Sequence, residues 1–176
     1  MDSNLAIVYL SILLAVLFGV SLIVFRQIFK NRKVENVLAR LQKKLSKEKG
    51  TAQEYYELGS IYVDKKLYTQ AITTLQQAIK AAEQEGEENI ALIYNALGFA
   101  YFSQEQYDVA IRQYKEALKH NPNYITALNN LAHAYERKKL MAQALETYEQ
   151  VLQSEPTNAT AKRRAESLRK RLVASA

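Results

Sequence analysis

The stretch "YNALGFAYFSQEQYDVAIRQYKEAL", Tyr94 to Leu118, reads as helix throughout except for one glycine. Inside a helix Gly98 costs roughly 1 kcal/mol against alanine, and no turn signal surrounds it. The stretch recurs, and the recurrence decides the fold. Thirty-four residues on, Leu97, Tyr101, Ala110, Tyr114 and Pro122 return as Leu131, Tyr135, Ala144, Tyr148 and Pro156. Thirty-nine residues back, Tyr94, Leu97-Gly98, Tyr101, Tyr107 and Ala110 are Tyr55, Leu58-Gly59, Tyr62, Tyr68 and Ala71. Three copies of one unit at this period signal stacked helical repeats.

The order of aromatic, Leu-Gly, Tyr, Ala, aromatic, Ala and Pro in the second copy, Ala91 to Tyr124, resembles the tetratricopeptide repeat (TPR) family. That resemblance implies a pair of antiparallel helices per unit, here Ile93 to Ser103 and Tyr107 to Lys119. Gly98 is expected to face Ala110 and let two helix backbones approach closely. Burial of Tyr94, Leu97, Tyr101, Tyr114 and Leu118, each worth roughly 1.5–3 kcal/mol, offsets the glycine's penalty. The departures are few: Ala132 replaces the glycine, Val151 an alanine, and Met141 an aromatic. The first copy has Glu83 in place of its proline and is followed by "EQEGEENIA". These extra residues predict a longer second helix ending near Gly86, with Glu87 and Glu88 at the start of the next.

The N-terminal residues differ in kind. Leu5 to Phe25 is 21 residues without a charge. As a helix it reaches about 31 Å, against a bilayer core of about 30 Å. An acidic start, "MDSN", and the length of the apolar run argue for a retained anchor over a cleaved signal peptide. The formal net charge of +6 is unevenly placed: Arg26 to Lys49 carries nine basic and two acidic residues, while Gly50 to Ala176 carries fifteen of each sign. Basic residues beside a span stay on the cytoplasmic side, so the N-terminus is expected outside or lumenal and the repeats cytoplasmic or stromal. Arg26, Lys30, Arg32 and Lys33 are candidates for lipid-headgroup contact rather than for nucleic acid, which the position beside a span disfavours. Val34, Val37, Leu38, Leu41 and Leu45 share a helical face, as a rigid stalk, a membrane-surface helix or a cover for the first repeat. Thr51 and Glu54 read as a capping box opening the repeats.

At the other end, Ala161, Ala165, Leu168 and Leu172 share a face amid Lys162, Arg163, Arg164, Arg169, Lys170 and Arg171. A solenoid needs a last helix with one apolar and one soluble face. The six cations suit that cap, and a docking surface for acidic partners or lipids is the alternative. No cysteine is present, which excludes disulfides and thiolate chemistry. The two histidines, His120 and His133, lie on different helices without evident metal partners, and no phosphate-loop pattern occurs. No catalytic residue, metal or cofactor is expected.

Function must then lie in a surface. The TPR resemblance implies a concave groove lined by the first helix of each unit. Carried over, it presents Gln53, Tyr56, Ser60 and Val63, then Leu92, Asn95, Phe99 and Phe102, then Thr126, Asn129, His133 and Glu136. Asn95 and Asn129 are expected to stack in register and clamp a peptide backbone through their amides. Phe99 and Phe102 supply apolar anchoring unless the stalk or the cap covers them. Family members that hold acidic chaperone tails use a Lys and Arg clamp; the matching residues here, Tyr56, Asn95, Thr126 and Asn130, are all uncharged.

Over the whole chain, "FRQIFKNRKVE", "KEKGTAQEYYELGS", "ALNNLAHAYERK" and "AKRRAESLRKRL" resemble one narrower family. It is the membrane-anchored TPR family of cyanobacteria and plastids known as hypothetical chloroplast reading frame thirty-seven, associated with photosystem I assembly. The expectation is an all-α protein with a short tail (1–4), a transmembrane helix (5–25) and a basic stalk helix (26–50). A TPR superhelix of three helix pairs follows (51–158; about 52–85, 91–124 and 125–158), then a capping helix and tail (159–176). The resemblance implies a non-catalytic thylakoid scaffold whose partners are photosystem I subunits or fellow assembly factors, with membrane lipids and without nucleic acid. The alternatives are a general membrane-anchored adaptor, in secretion or envelope maintenance, and a lipid-binding protein using its basic ends.

Overall fold

The computed structural model describes the backbone of residues 2–86 and 89–174, and the side chains of these except 2–6, 28–31 and 174. Among the described residues there are eight helices and no strand. The chain divides into two compact units, Met1–Lys47 and Glu48–Ala176.

The first unit is one helix, α1, Asp2–Leu45. The helix runs without a break from the apolar run into the basic stalk, because Arg, Gln, Lys, Leu and Ala follow with no Gly or Pro before Gly50. It stops at Leu45, short of the expected Gly50, where the Ser46 hydroxyl donates to the Lys43 carbonyl at 3.0 Å. Every large apolar side chain from Ile7 to Phe25 is exposed. In the same segment the Ser11 hydroxyl donates to the Ile7 carbonyl at 2.6 Å, so this polar group is satisfied within the helix. The segment is therefore long and apolar enough to cross a bilayer. Arg26, Arg32 and Lys33 are exposed, while the side chain of Lys30 lies outside the described ones.

The second unit stacks α2 (Ala52–Asp64), α3 (Tyr68–Glu85), α4 (Ile90–Ser103), α5 (Tyr107–His120), α6 (Ile125–Arg137), α7 (Met141–Ser154) and α8 (Ala159–Ala174). The predicted capping box is formed: Thr51 Oγ1 accepts from the Glu54 N–H, and Glu54 Oε2 from the Thr51 N–H. The Glu85 carboxylate adds a further acceptor for α2, taking the Ala52 N–H at 3.2 Å. Gly86, left-handed at φ 68°, closes α3 where expected. Glu87 and Glu88, predicted to begin the next helix, lie outside the described residues, and α4 is assigned from Ile90.

The three repeats share one turn. Lys66, Glu105 and Lys139 occupy equivalent positions and all adopt the left-handed region, at φ 60°, 61° and 60°. The following N–H groups of Leu67, Gln106 and Leu140 return to the carbonyls of Tyr62, Tyr101 and Tyr135 at 2.8, 3.0 and 2.9 Å. These bonds satisfy the orphan carbonyls at each helix end and set the angle at which the second helix folds back.

The glycine that opened the sequence reading has a different neighbour from the one expected. A Cβ at Gly98 would stand 2.7 Å from two ring carbons of Tyr114, and one at Gly59 would stand 2.7 Å from the side chain of Leu75. Gly98 thus makes room for a buried aromatic ring rather than for the backbone beside Ala110. The tyrosine lies one helical turn beyond that alanine, and its ring needs more room than a backbone crossing does. In the third unit, Ala132 and its ring partner Tyr148 are both buried, so a methyl is accommodated there. The core continues through Ala110, Ala144 and Val151 to Ala161, Ala165 and Leu168 of α8, which caps the stack as predicted. Asn158 Oδ1 accepts the Ala161 N–H at 3.0 Å and starts that last helix.

Candidate protein-binding groove

From α2 to α8 consecutive helices pack on one another, and α2 also touches α4 while α4 touches α6. The first helices of the three units therefore form one continuous row. The central helix α4, "IALIYNALGFAYFS", is the most apolar of them. Its inward positions Ile93, Leu97 and Ala100 are buried in the core, while Leu92 and Phe99, seven residues apart on one face, are exposed.

The predicted groove residues divide into three groups. Gln53, Tyr56 and Leu92 line a small hollow of about 20 Å³ between α2 and α4. Ser60, Asn95, Phe99 and Thr126 line an open groove of about 340 Å³, together with Val63, Asp64, Ala96 and Asn130. Phe102, Asn129, His133 and Glu136 are taken up by contacts within the protein. The Phe102 ring lies 4.9 Å from that of His133 and 5.3 Å, edge-on, from that of Tyr107. Both of these rings belong to the repeats themselves.

The asparagine pair differs from the expected one. Asn130 Nδ2 donates to Asn95 Oδ1 at 2.9 Å, and Asn95 Nδ2 donates to the Tyr124 hydroxyl at 3.4 Å. Asn129, the register mate of Asn95, donates instead to the Ile125 carbonyl of its own helix at 3.2 Å, and its Oδ1 is buried without a partner. The twist between successive units brings the residue 35 positions on, not 34, across from Asn95. Asn129 and Asn130 lie about 100° apart on α6, and the packing of α4 on α6 turns Asn130 toward Asn95.

Glu136 is a structural acceptor. Its Oε1 takes the Tyr148 hydroxyl at 2.7 Å, and its Oε2 pairs with Arg164 of α8 at 3.4 Å. Arg169 likewise pairs with Glu149 at 2.8 Å. Two of the six cap cations therefore fasten α8 to the repeats, while Lys162, Arg163, Lys170 and Arg171 are exposed. Burial raises the Tyr148 hydroxyl above its ordinary value of 10.0, and the Glu136 carboxylate raises it further, so Tyr148 stays a donor. Burial lowers the His133 imidazole below its ordinary 6.5, and the Arg164 charge lowers it further. The folded state thus holds His133 neutral; acidification through the window below 6.5 costs stability, because the unfolded chain takes up that proton more readily. His120, in the last turn of α5, stacks on Tyr94 with ring centroids 5.6 Å apart.

Glu136→Ala leaves the buried Tyr148 hydroxyl without its acceptor and frees Arg164. A loss of about 1–3 kcal/mol is expected from thermal melting, with hydrogen exchange accelerating first in α8. Unchanged exchange in α8 would deny that this contact fastens the cap.

The tetratricopeptide repeat family matches residues 50–120 and, through a second profile, residues 95–159. The chain is 37% identical over 166 residues to the protein ycf37 of Cyanophora paradoxa, spanning 93% of this chain and 95% of that one. It is 35% identical over 171 residues to the tetratricopeptide repeat domain-containing protein PYG7, chloroplastic, of Arabidopsis thaliana, spanning 97% of this chain and 56% of that longer one. In fold it is similar to the first TPR of Spaghetti (RPAP3) bound to the HSP90 peptide SRMEEVD, with a TM-score of 0.64 at 22% identity over 72% of this chain and 96% of the other.

Proposed function

The chain belongs to the ycf37 family of tetratricopeptide repeat proteins, and on that premise we propose that it is a membrane-tethered, non-catalytic scaffold for photosystem I assembly. The groove of α2, α4 and α6 holds an extended segment of a photosystem I subunit or of a fellow assembly factor. The observation that carries this reading is the open groove around Phe99, a residue 40% exposed beside the hydrogen-bonding side chains of Ser60, Asn95, Thr126 and Asn130. An aromatic anchor in a groove offering amides and hydroxyls suits a peptide, whose backbone needs both donors and acceptors. The apolar segment of α1 supplies the tether, and the cations from Arg26 onward hold its C-terminal end on the stromal or cytoplasmic face. The photosystem I assignment and the thylakoid location rest on the likeness along the whole chain to a cyanobacterial and plastid family, with a chloroplastic relative in Arabidopsis.

The tether has a direct test. Protease added to sealed thylakoid vesicles with the stromal or cytoplasmic face outward digests the repeats and leaves a short protected N-terminal fragment. Protected repeats would reverse the orientation, and release of the whole chain by carbonate washing would remove the span. The groove is tested by photo-crosslinking from position 99 in intact thylakoid membranes, where capture of a photosystem I subunit or a fellow assembly factor is expected.

A further inference from the structure

We propose that the groove between α2, α4 and α6 is a receptor for a cationic side chain, so that the segment it holds carries an arginine or lysine at that point. This rests on the scaffold reading above and narrows the partner's chemistry.

The lining of the 340 Å³ groove contains one charge, Asp64, and no lysine or arginine. Asp64 is exposed and belongs to none of the ion pairs among the described residues. It is also the last residue of α2. An acid is unfavourable there, because the helix dipole already places partial negative charge at the C-terminus. Local helix stability therefore does not account for this carboxylate, whereas a cation in the groove does. Beside it, Val63 and the exposed Phe99 give an apolar wall against which the methylenes of a long cationic side chain lie, with the charged head near the carboxylate. The face of Phe99 attracts the same head. The polar remainder includes acceptors for such a head: one N–H of the Asn130 amide is bonded to Asn95 while the Asn130 carbonyl stays free, and the Ser60 and Thr126 hydroxyls accept as well as donate. A guanidinium presents five donors and no acceptor, and matches this set better than an ammonium does. An acidic side chain would instead meet Asp64 with no counter-charge in the lining.

The test uses the full-length chain in detergent micelles and a display library of random peptides. Enriched peptides are expected to carry Arg or Lys flanked by uncharged residues. Replacing that arginine by its neutral isostere citrulline in one enriched peptide should weaken binding at least about fivefold, and Asp64→Asn should produce a similar loss. The two losses should not add, because they remove the same contact. Asp64→Asn removes an unfavourable helix-end charge, so the variant is expected to fold at least as well as the parent, which circular dichroism verifies. Enrichment of uncharged or acidic peptides, or losses that add, would overturn the cation receptor and leave the scaffold reading standing. No enrichment at all would overturn both.

Discussion

Gly98→Leu is expected to destabilise the repeat unit by about 3 kcal/mol, among the largest effects of any single change in it. A Cβ alone at this position would stand 2.7 Å from two carbons of the Tyr114 ring, closer than real Cβ contacts allow. Leucine adds three further carbons in the same direction, and the ring has little freedom to retreat, being 1% exposed. The gain in helix propensity, roughly 0.8–1.0 kcal/mol for leaving glycine, does not offset a clash of this size. Gly98→Ala should behave differently. Ala132 and Tyr148 hold the equivalent positions in the third unit, where both are buried, and at position 98 a single methyl asks far less of the ring than leucine does. There the propensity gain and the packing loss should nearly cancel. Denaturant melts of the Glu48–Ala176 unit, followed by circular dichroism, separate the two. A leucine variant as stable as the parent would show that Tyr114 does not need the space.

The second large effect is functional. Phe99→Ala combined with Asn130→Ala is expected to weaken segment capture by at least tenfold. The ring contributes a few kcal/mol if a partner buries it, and the amide about 0.5–1.5 kcal/mol; 1.4 kcal/mol corresponds to tenfold. Because Phe99 is already exposed, its removal should leave the fold nearly unchanged. Asn130→Ala breaks the bond to Asn95 on a half-buried surface, so its structural effect should be small and local. Cells carrying the double variant should accumulate less photosystem I while photosystem II is little affected and the protein stays at the membrane. Normal photosystem I with a folded, membrane-bound variant would move the working surface to the exposed cap cations Lys162, Arg163, Lys170 and Arg171.

The fold was legible because its determinants are local and repeated. The Tyr positions recur in all three copies and the Leu-Gly pair in two, at spacings of 39 and 34 residues, the Thr51–Glu54 cap lies within one turn, and Gly86 ends α3 through its own backbone freedom. The groove was legible only as a face. Ser60, Asn95, Phe99 and Thr126 fall where the repeat register puts them. The repeat register pointed to Asn129 rather than Asn130, since the twist that selects Asn130 is a property of packed units. Glu136 reads as a groove residue by spacing, yet a tyrosine twelve residues on and an arginine of α8 claim its carboxylate. Asp64 was missed although it lies one turn from Ser60 on the same helix. An unpaired acid at a helix C-terminus was the signal that could have found it. The continuity of α1 through span and stalk follows from chemistry: a change from apolar to basic side chains alters what surrounds a helix without interrupting its backbone.

The most direct test places a photo-crosslinking residue at position 99 in the full-length chain within intact thylakoid membranes, with the same residue at Gln77 of α3 as the control. The scaffold account predicts that position 99 captures a photosystem I subunit or a fellow assembly factor, and that position 77 does not. Equal capture from both positions, or capture at 99 only of proteins unrelated to photosystem I, would contradict it.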